Sequence, residues 1–307
     1  MLTFEILIDN TFASVNTDKS LSPIGNKSVL SLINDFEDGV WRYQKFQEFI
    51  WDNITETALS LKERCSLIDK PLSSLTEAAK MLRLTDVAKD DKGQGSELAE
   101  ILLYGIMKHH YNALPVVPKI FYKQNSQDFA KGSDSVHIVL EGSDDFSLWF
   151  GEAKFYKSIE DVRLDSIVQS VENSIQTDKL KKENSIITNV SDIDNLTIST
   201  ELKNKIKELL SSRESIDNLK PKLNIPILLL HECTVTQNQT ILNDTYKEEI
   251  KKYHKQRAIA YFKKQLNKIG GLHMYSEIKF HIILFPVPVK ETIVKKFVEH
   301  VEHFKKQ

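Results

Sequence analysis

From Ser96 onward the chain alternates strand-sized apolar runs with helix-length amphipathic segments, and this order constrains the fold more than any other feature. The spacing predicts a helix over 96–111, strands over 135–140 and 147–156, a helix over 162–176, a strand over 225–233, a helix over 246–268, a strand over 278–287 and a helix over 289–304. Helices of this length between strands lie over the faces of a sheet, so the expected fold is α/β, a mixed central sheet flanked by helices. Upstream, Leu2 to Ile8 reads as a strand. Trp41 to Leu67 reads as one long helix, with Phe46, Phe49, Ile50, Ile54 and Leu59 at three-to-four spacing. The polar run DVAKDDKGQG, Asp86 to Gly95, is a linker signal. It divides an N-terminal accessory region, 1–90, expected to bind a partner or regulate, from a catalytic part, 91–307. Within the latter a polar insertion near 179–222 carries one expected short helix, Glu201 to Ser211.

A chain of 307 residues, 41% hydrophobic and 27% charged, can bury a sizeable core and is neither disordered nor fibrous in composition. Its apolar runs are too short to span a bilayer, and MLTFEILIDN has an acidic residue in its apolar stretch and no basic leader. A cytoplasmic location without membrane contact is therefore expected. Cys65 and Cys233 lack any CxxC or Cys/His spacing, which excludes a disulfide framework and a zinc knuckle. Signatures of nucleotide triphosphatases, dinucleotide-binding enzymes, α/β-hydrolases and HExxH proteases are absent. The net charge of −2 hides an asymmetry, since 240–307 holds 14 Lys and Arg against 7 Asp and Glu. Within that basic part, Tyr246 to Lys268 has the pattern of an amphipathic helix. Its lysines, among them Lys251, Lys252 and Lys255, are either a solvated face or phosphate contacts.

The segment KGSDSVHIVLEGSDDFSLWFGEAKFYK, Lys131 to Lys157, carries the chemistry. Asp134 stands at the mouth of a strand with Val136, Ile138 and Leu140 at period two. After a turn, Gly142 to Asp145, a second strand places Glu152 and Lys154 in phase with Leu148 and Phe150. A Glu and a Lys continuing an apolar phase conflict with core patterning, as functional positions do. A hairpin brings Asp134 beside Glu152, and two carboxylates suit Mg²⁺, with Mn²⁺ as a substitute, for phosphodiester hydrolysis. Lys154 could orient or deprotonate water and offset developing charge. A third metal-binding acid is expected from GSELAEILLYGIM; of Glu97 and Glu100, Glu100 borders the apolar run and is preferred. Asp144 and Asp145 read as turn residues and His137 as structural, facing away from Val136 and Ile138.

This arrangement resembles the PD-(D/E)XK nuclease superfamily: an acidic helix, a strand opened by Asp, a hairpin, an E-x-K strand and a following helix. No Pro precedes Asp134; Ser133 does. More narrowly, GSDSVHIVL followed by FGEAKFYKSIEDVRLDSIVQSVENSI is similar to the HamA family, nuclease subunits of the bacterial Hachiman anti-phage defence system, over mainly Ser96 to Ser174. The resemblance implies a metal-dependent DNA endonuclease held in check by a HamB-type helicase subunit. In related enzymes a polar residue on the following helix contacts the site, which points to Gln169. The alternative is a non-catalytic nucleic-acid-binding or scaffolding subunit that retains the fold, and an intact acid, acid and lysine set favours the enzyme.

Overall fold

The computed structural model describes residues 2–84, 95–124, 133–189, 193–194 and 196–307. The linker expected at 86–95, except Gly95, and Lys131 and Gly132 at the head of the chemistry-bearing segment, lie outside them. In chain order the strands are β1 (Glu5–Thr11), β2 (Lys27–Ile33), β3 (Phe36–Glu37), β4 (Val40–Trp41), β5 (Leu114–Val117), β6 (Ser135–Leu140), β7 (Phe146–Tyr156), β8 (Leu223–Glu232) and β9 (Lys279–Val287). The helices of the first half are α1 (Phe12–Val15), α2 (Tyr43–Ala58), α3 (Leu61–Ser66), α4 (Pro71–Lys80), α5 (Ser96–His110) and α6 (Lys119–Gln124). Those of the second half are α7 (Asp161–Ser174), α8 (Thr177–Asn189), α9 (Thr200–Leu209), α10 (Ile216–Leu219), α11 (Thr234–Gln237), α12 (Asp244–Ile269) and α13 (Lys290–Lys305).

Seven strands form one mixed sheet in the order β1-β2-β9-β8-β7-β6-β5, and β3 and β4 make a separate ribbon. The central strands β2, β9, β8 and β7 are mutually parallel, while β1 at one edge and β6 and β5 at the other run antiparallel to their neighbours. Strand alternation sorts the apolar residues into two cores. Leu148 and Phe150 of β7, Ile227 and Leu229 of β8 and Ile282 and Leu284 of β9 face the layer with α7, α8 and α12. Trp149, Ala153 and Phe155, with Leu228, Leu230, Ile283 and Phe285, face the layer with α2, α4, α5 and α13.

The expected strands and helices from Ser96 onward occur with ends shifted by a few residues at most, and the sheet is covered on both faces as expected. Strands β3, β4 and β5 and helices α4, α6, α8 and α10 were not expected, and two further features differ. The helix expected over Trp41 to Leu67 is two helices, because Ser60 caps the second. Glu63 N–H donates to Ser60 Oγ at 3.3 Å, and Ser60 N–H donates back to Glu63 Oε2 at 2.8 Å. The strand β2 was not legible: Ser28 and Ser31 interrupt its apolar residues, and only the tertiary structure gives them partners, His281 and His254. Through β1, β2 and α2, residues before 90 supply one edge of the sheet and part of the core packed on α5.

Candidate active site at the β6–β7 rim

The register of the β6–β7 hairpin decides which side chains meet. Ser135 pairs with Gly151, so Asp134 stands at the level of Glu152, and its N–H donates to the Gly151 carbonyl at 2.7 Å. At the turn, Asp145 accepts from Phe146 N–H and from Lys222, so it does turn work as expected. Beyond the start of β6 the Asp134 side chain takes the place of a strand partner, with Oδ2 accepting Ala153 N–H at 3.0 Å. Lys154 Nζ lies 3.4 Å from that same oxygen and donates to Glu152 Oε2 at 2.9 Å. Two acids and one cation thus share a rim where Lys154 is part-exposed and Glu152 only 4% exposed.

The electrostatics follow from that crowding. Burial, and then the neighbouring Asp134 charge, push the Glu152 carboxyl above its ordinary value, against the pull of Lys154. Burial works against the Lys154 ammonium as well, but Asp134 and Glu152 outweigh it and hold its pKa above the ordinary lysine value. Two carboxylates thus share the Lys154 ammonium. A hard divalent cation suits such a set, since oxygen ligands are what Mg²⁺ sites supply. Among the described residues no three His, Cys, Asp or Glu side chains form a preformed metal cage. Asp134 and Glu152 offer carboxylate oxygens of the kind that could hold such a cation together with water and substrate oxygens.

The expected third acid lies in the other layer. A Cβ on Gly151 would meet Leu103 Cδ2 at 2.8 Å, and one on Gly95 would meet Phe155 Cδ1 at 2.9 Å, so α5 crosses β7 on the face opposite Lys154. Glu100, one turn before Leu103, is buried on that helix at 6% exposure. Glu97 has a structural task, accepting the backbone N–H groups of Arg83 and Leu84. His137 faces away from Val136 and Ile138 as expected, but it is buried beside the Tyr104 ring, not on the surface, and burial pushes its pKa down to about 3.

On the following helix the contact is made by the neighbour of the expected residue. Gln169 is exposed and bonds to Glu172 and Asn173 of its own helix. Ser170 donates to Glu152 Oε2 at 2.8 Å, because α7 buries Ile167 and Val171 and so turns position 170 toward the sheet. The helical phase of Ile167 and Val171 was the signal that could have separated the two. On α12, Lys252 and Lys255 are exposed, whereas Lys251 pairs with Glu248 of the same helix. Other α12 cations are engaged by acids of α7: Arg257 with Asp161 at 2.9 Å, Lys264 with Asp165 at 2.9 Å and Lys268 with Glu172 at 3.6 Å. No helix among the described residues is long and apolar enough to cross a membrane.

A family model described as HamA matches residues 9–301, a span that takes in the β6–β7 hairpin, α7, α8 and α12. No curated protein matches the chain.

Proposed function

This chain belongs to the HamA family of the Hachiman anti-phage system, and from that premise we propose that it is a metal-dependent nuclease with a PD-(D/E)XK centre. The observation that carries the reading is the meeting of Asp134, Glu152 and Lys154 at one rim, with Lys154 within hydrogen-bonding or ion-pairing distance of both acids. An Asp opening β6, E-x-K on β7 and a polar contact from α7 are the parts that such a centre requires. Asp134 and Glu152 would hold Mg²⁺ or Mn²⁺, and Glu100, as the third acid, would approach them from α5 in the layer across β7. A bound Mg²⁺ supplies neutralisation of the scissile phosphate and a more acidic water. Lys154, kept charged by the two carboxylates, is a fixed positive charge that orients the attacking water and offsets charge developing on the phosphate. Ser170 fixes the Glu152 carboxylate from the far side.

DNA is the substrate we propose, with Lys252 and Lys255 as phosphate contacts. Family membership implies a partner within the Hachiman system, and we propose that this partner is a helicase that restrains cutting. Cleavage of plasmid and single-stranded DNA by the full chain, alone and with its co-purified partner, in Mg²⁺ and in EDTA, tests the reading. Lys154→Ala should lower cleavage by about 10²–10³-fold or more while the fold and partner binding persist. A Lys154→Ala protein that cuts at the wild-type rate would end the assignment. Cutting by neither form, in any condition, would favour a binding subunit that retains the fold. Replacing Lys252 and Lys255 by Gln should weaken DNA binding and reduce the slope of log affinity against log salt by about 1–2. An unchanged slope would assign that helix face to solvent or to a protein.

A further inference from the structure

We propose that Glu183, in the polar insertion, is a positioning residue for the Asp134 carboxylate; the proposal rests on the nuclease reading of the β6–β7 rim. On α8, Leu180, Glu183 and Ile187 share one face, and the two apolar residues are fully buried in the core beneath the sheet. Glu183 sits between them at 1% exposure. A carboxylate on such a face costs several kcal/mol unless it is paired and its oxygens are satisfied. Both conditions are met. Glu183 Oε2 accepts from Lys119 Nζ at 2.7 Å, with Lys119 itself only 4% exposed. Glu183 Oε1 accepts the Ser133 N–H at 2.7 Å.

Ser133 is the residue before Asp134, and this gives the pair its consequence. The β6–β7 ladder begins with Asp134 N–H on the Gly151 carbonyl, so the Ser133 N–H lies one step outside it. Glu183 supplies the acceptor that the ladder does not. Two successive N–H groups are thereby clamped, which fixes the peptide planes on either side of Ser133; with Ser135 registered on Gly151 just beyond, the backbone that carries the Asp134 Cα–Cβ bond is held from both sides. Its Oδ2 then lands on Ala153 N–H and near Lys154 Nζ. An apolar pair would hold α8 against β5 and β6 at lower desolvation cost. What a carboxylate adds is a directional acceptor. A misplacement of about 1 Å at a reacting centre can cost about 10²-fold, so a brace on a metal-binding acid matters at that scale.

Two paired substitutions in the full chain, measured in the assembly that cuts, separate positioning from packing. Glu183→Gln with Lys119→Met keeps an acceptor for the Ser133 N–H and removes both charges. Glu183→Leu with Lys119→Met replaces the pair by apolar side chains of similar volume, an exchange that often leaves stability unchanged. The readouts are kcat and KM for cleavage, Mn²⁺ affinity by electron paramagnetic resonance, and hydrogen exchange of the peptide holding Ser133 and Asp134. The Gln protein should stay within about threefold of wild type, whereas the Leu protein should lose about 10–100-fold in kcat and in Mn²⁺ affinity. Its KM should change little, and its Ser133 amide should exchange faster. A folded Leu protein with wild-type kcat, Mn²⁺ affinity and exchange overturns the proposal. A Gln protein that loses about 10-fold or more in kcat and Mn²⁺ affinity overturns it too, and this arm decides the matter if the Leu protein does not fold. A wild type that neither cuts nor binds Mn²⁺ strikes the nuclease reading instead, and the exchange data still report whether Glu183 holds Ser133.

Discussion

At the β6–β7 rim the chain packs two carboxylates and an ammonium into partial burial, whereas between β2, β8 and α12 it buries Ser31, His254 and His231 with no formal charge at all. The second cluster has one consistent set of donors. His231 Nδ1–H donates to the Glu232 carbonyl at 3.1 Å, which leaves its Nε2 to accept from His254 Nε2–H at 3.1 Å. His254 Nδ1 then accepts from the Ser31 hydroxyl at 2.6 Å. Every ring nitrogen is used, both imidazoles are neutral, and nothing is left over for a ligand. The rim differs in being charged: Glu152 is buried beside another acid, and Lys154 pairs with both. The relay has the form of a structural tie between a helix and a sheet. At the rim, burial beside a second acid makes the Glu152 charge costly, a cost that the proposed divalent cation would lower.

The largest effect expected from this contrast is on the relay. His254→Ala strands the Ser31 hydroxyl and His231 Nε2 in the core and opens a cavity under α12, so we expect a loss of about 2–4 kcal/mol in unfolding free energy. Burial pushes the His231 pKa down to about 4 and holds His254 well below its ordinary 6.5. Folded-state values below the unfolded ones mean that the unfolded chain takes up protons first. The stability from these histidines is therefore complete above about pH 6.5 and is lost as pH falls toward 4. Denaturant unfolding of wild type and variant from pH 7.5 to 4.5 checks both statements. Equal stability at pH 7.5 would mean that the relay carries no net weight.

Most of the sheet was legible because β6, β7, β8 and β9 obey period two or run continuously apolar, and α5, α7, α12 and α13 obey the helical period. The Asp134, Glu152 and Lys154 set was legible for a related reason: charged residues continued an apolar phase. Glu183 broke the phase of Leu180 and Ile187 in the same way, but it lies in a segment whose Asn, Ser and Lys content reads as surface. Ser170 and Gln169 differ by one residue, which a helix resolves only when its buried face is known. β2 was not legible because its two serines are satisfied by histidines some 220 to 250 positions away. Pairing partners at that distance leave no local signal.

A smaller effect, of opposite sign, is expected at the rim in EDTA. Glu152 has its folded pKa raised above the ordinary 4.5, so its contribution is fully present below that value and is lost as pH rises through the folded value. Its ionisation in the folded protein therefore carries a net cost. Glu152→Gln keeps an oxygen to accept from Ser170 and from Lys154 while removing the charge. Lys154 then keeps its ion pair with Asp134. We therefore expect Glu152→Gln to raise Tm by about 2–4 °C at pH 7.5, or about 1 kcal/mol. The gain should shrink as pH approaches 4.5. With Mn²⁺ the order should reverse, because only wild type has both carboxylates and gains from binding. A Gln protein less stable than wild type at pH 7.5 in EDTA would show that the Glu152–Lys154 pair is a net stabiliser. The contrast with the histidine relay would then fail, and the rim would have to be read as a second structural tie.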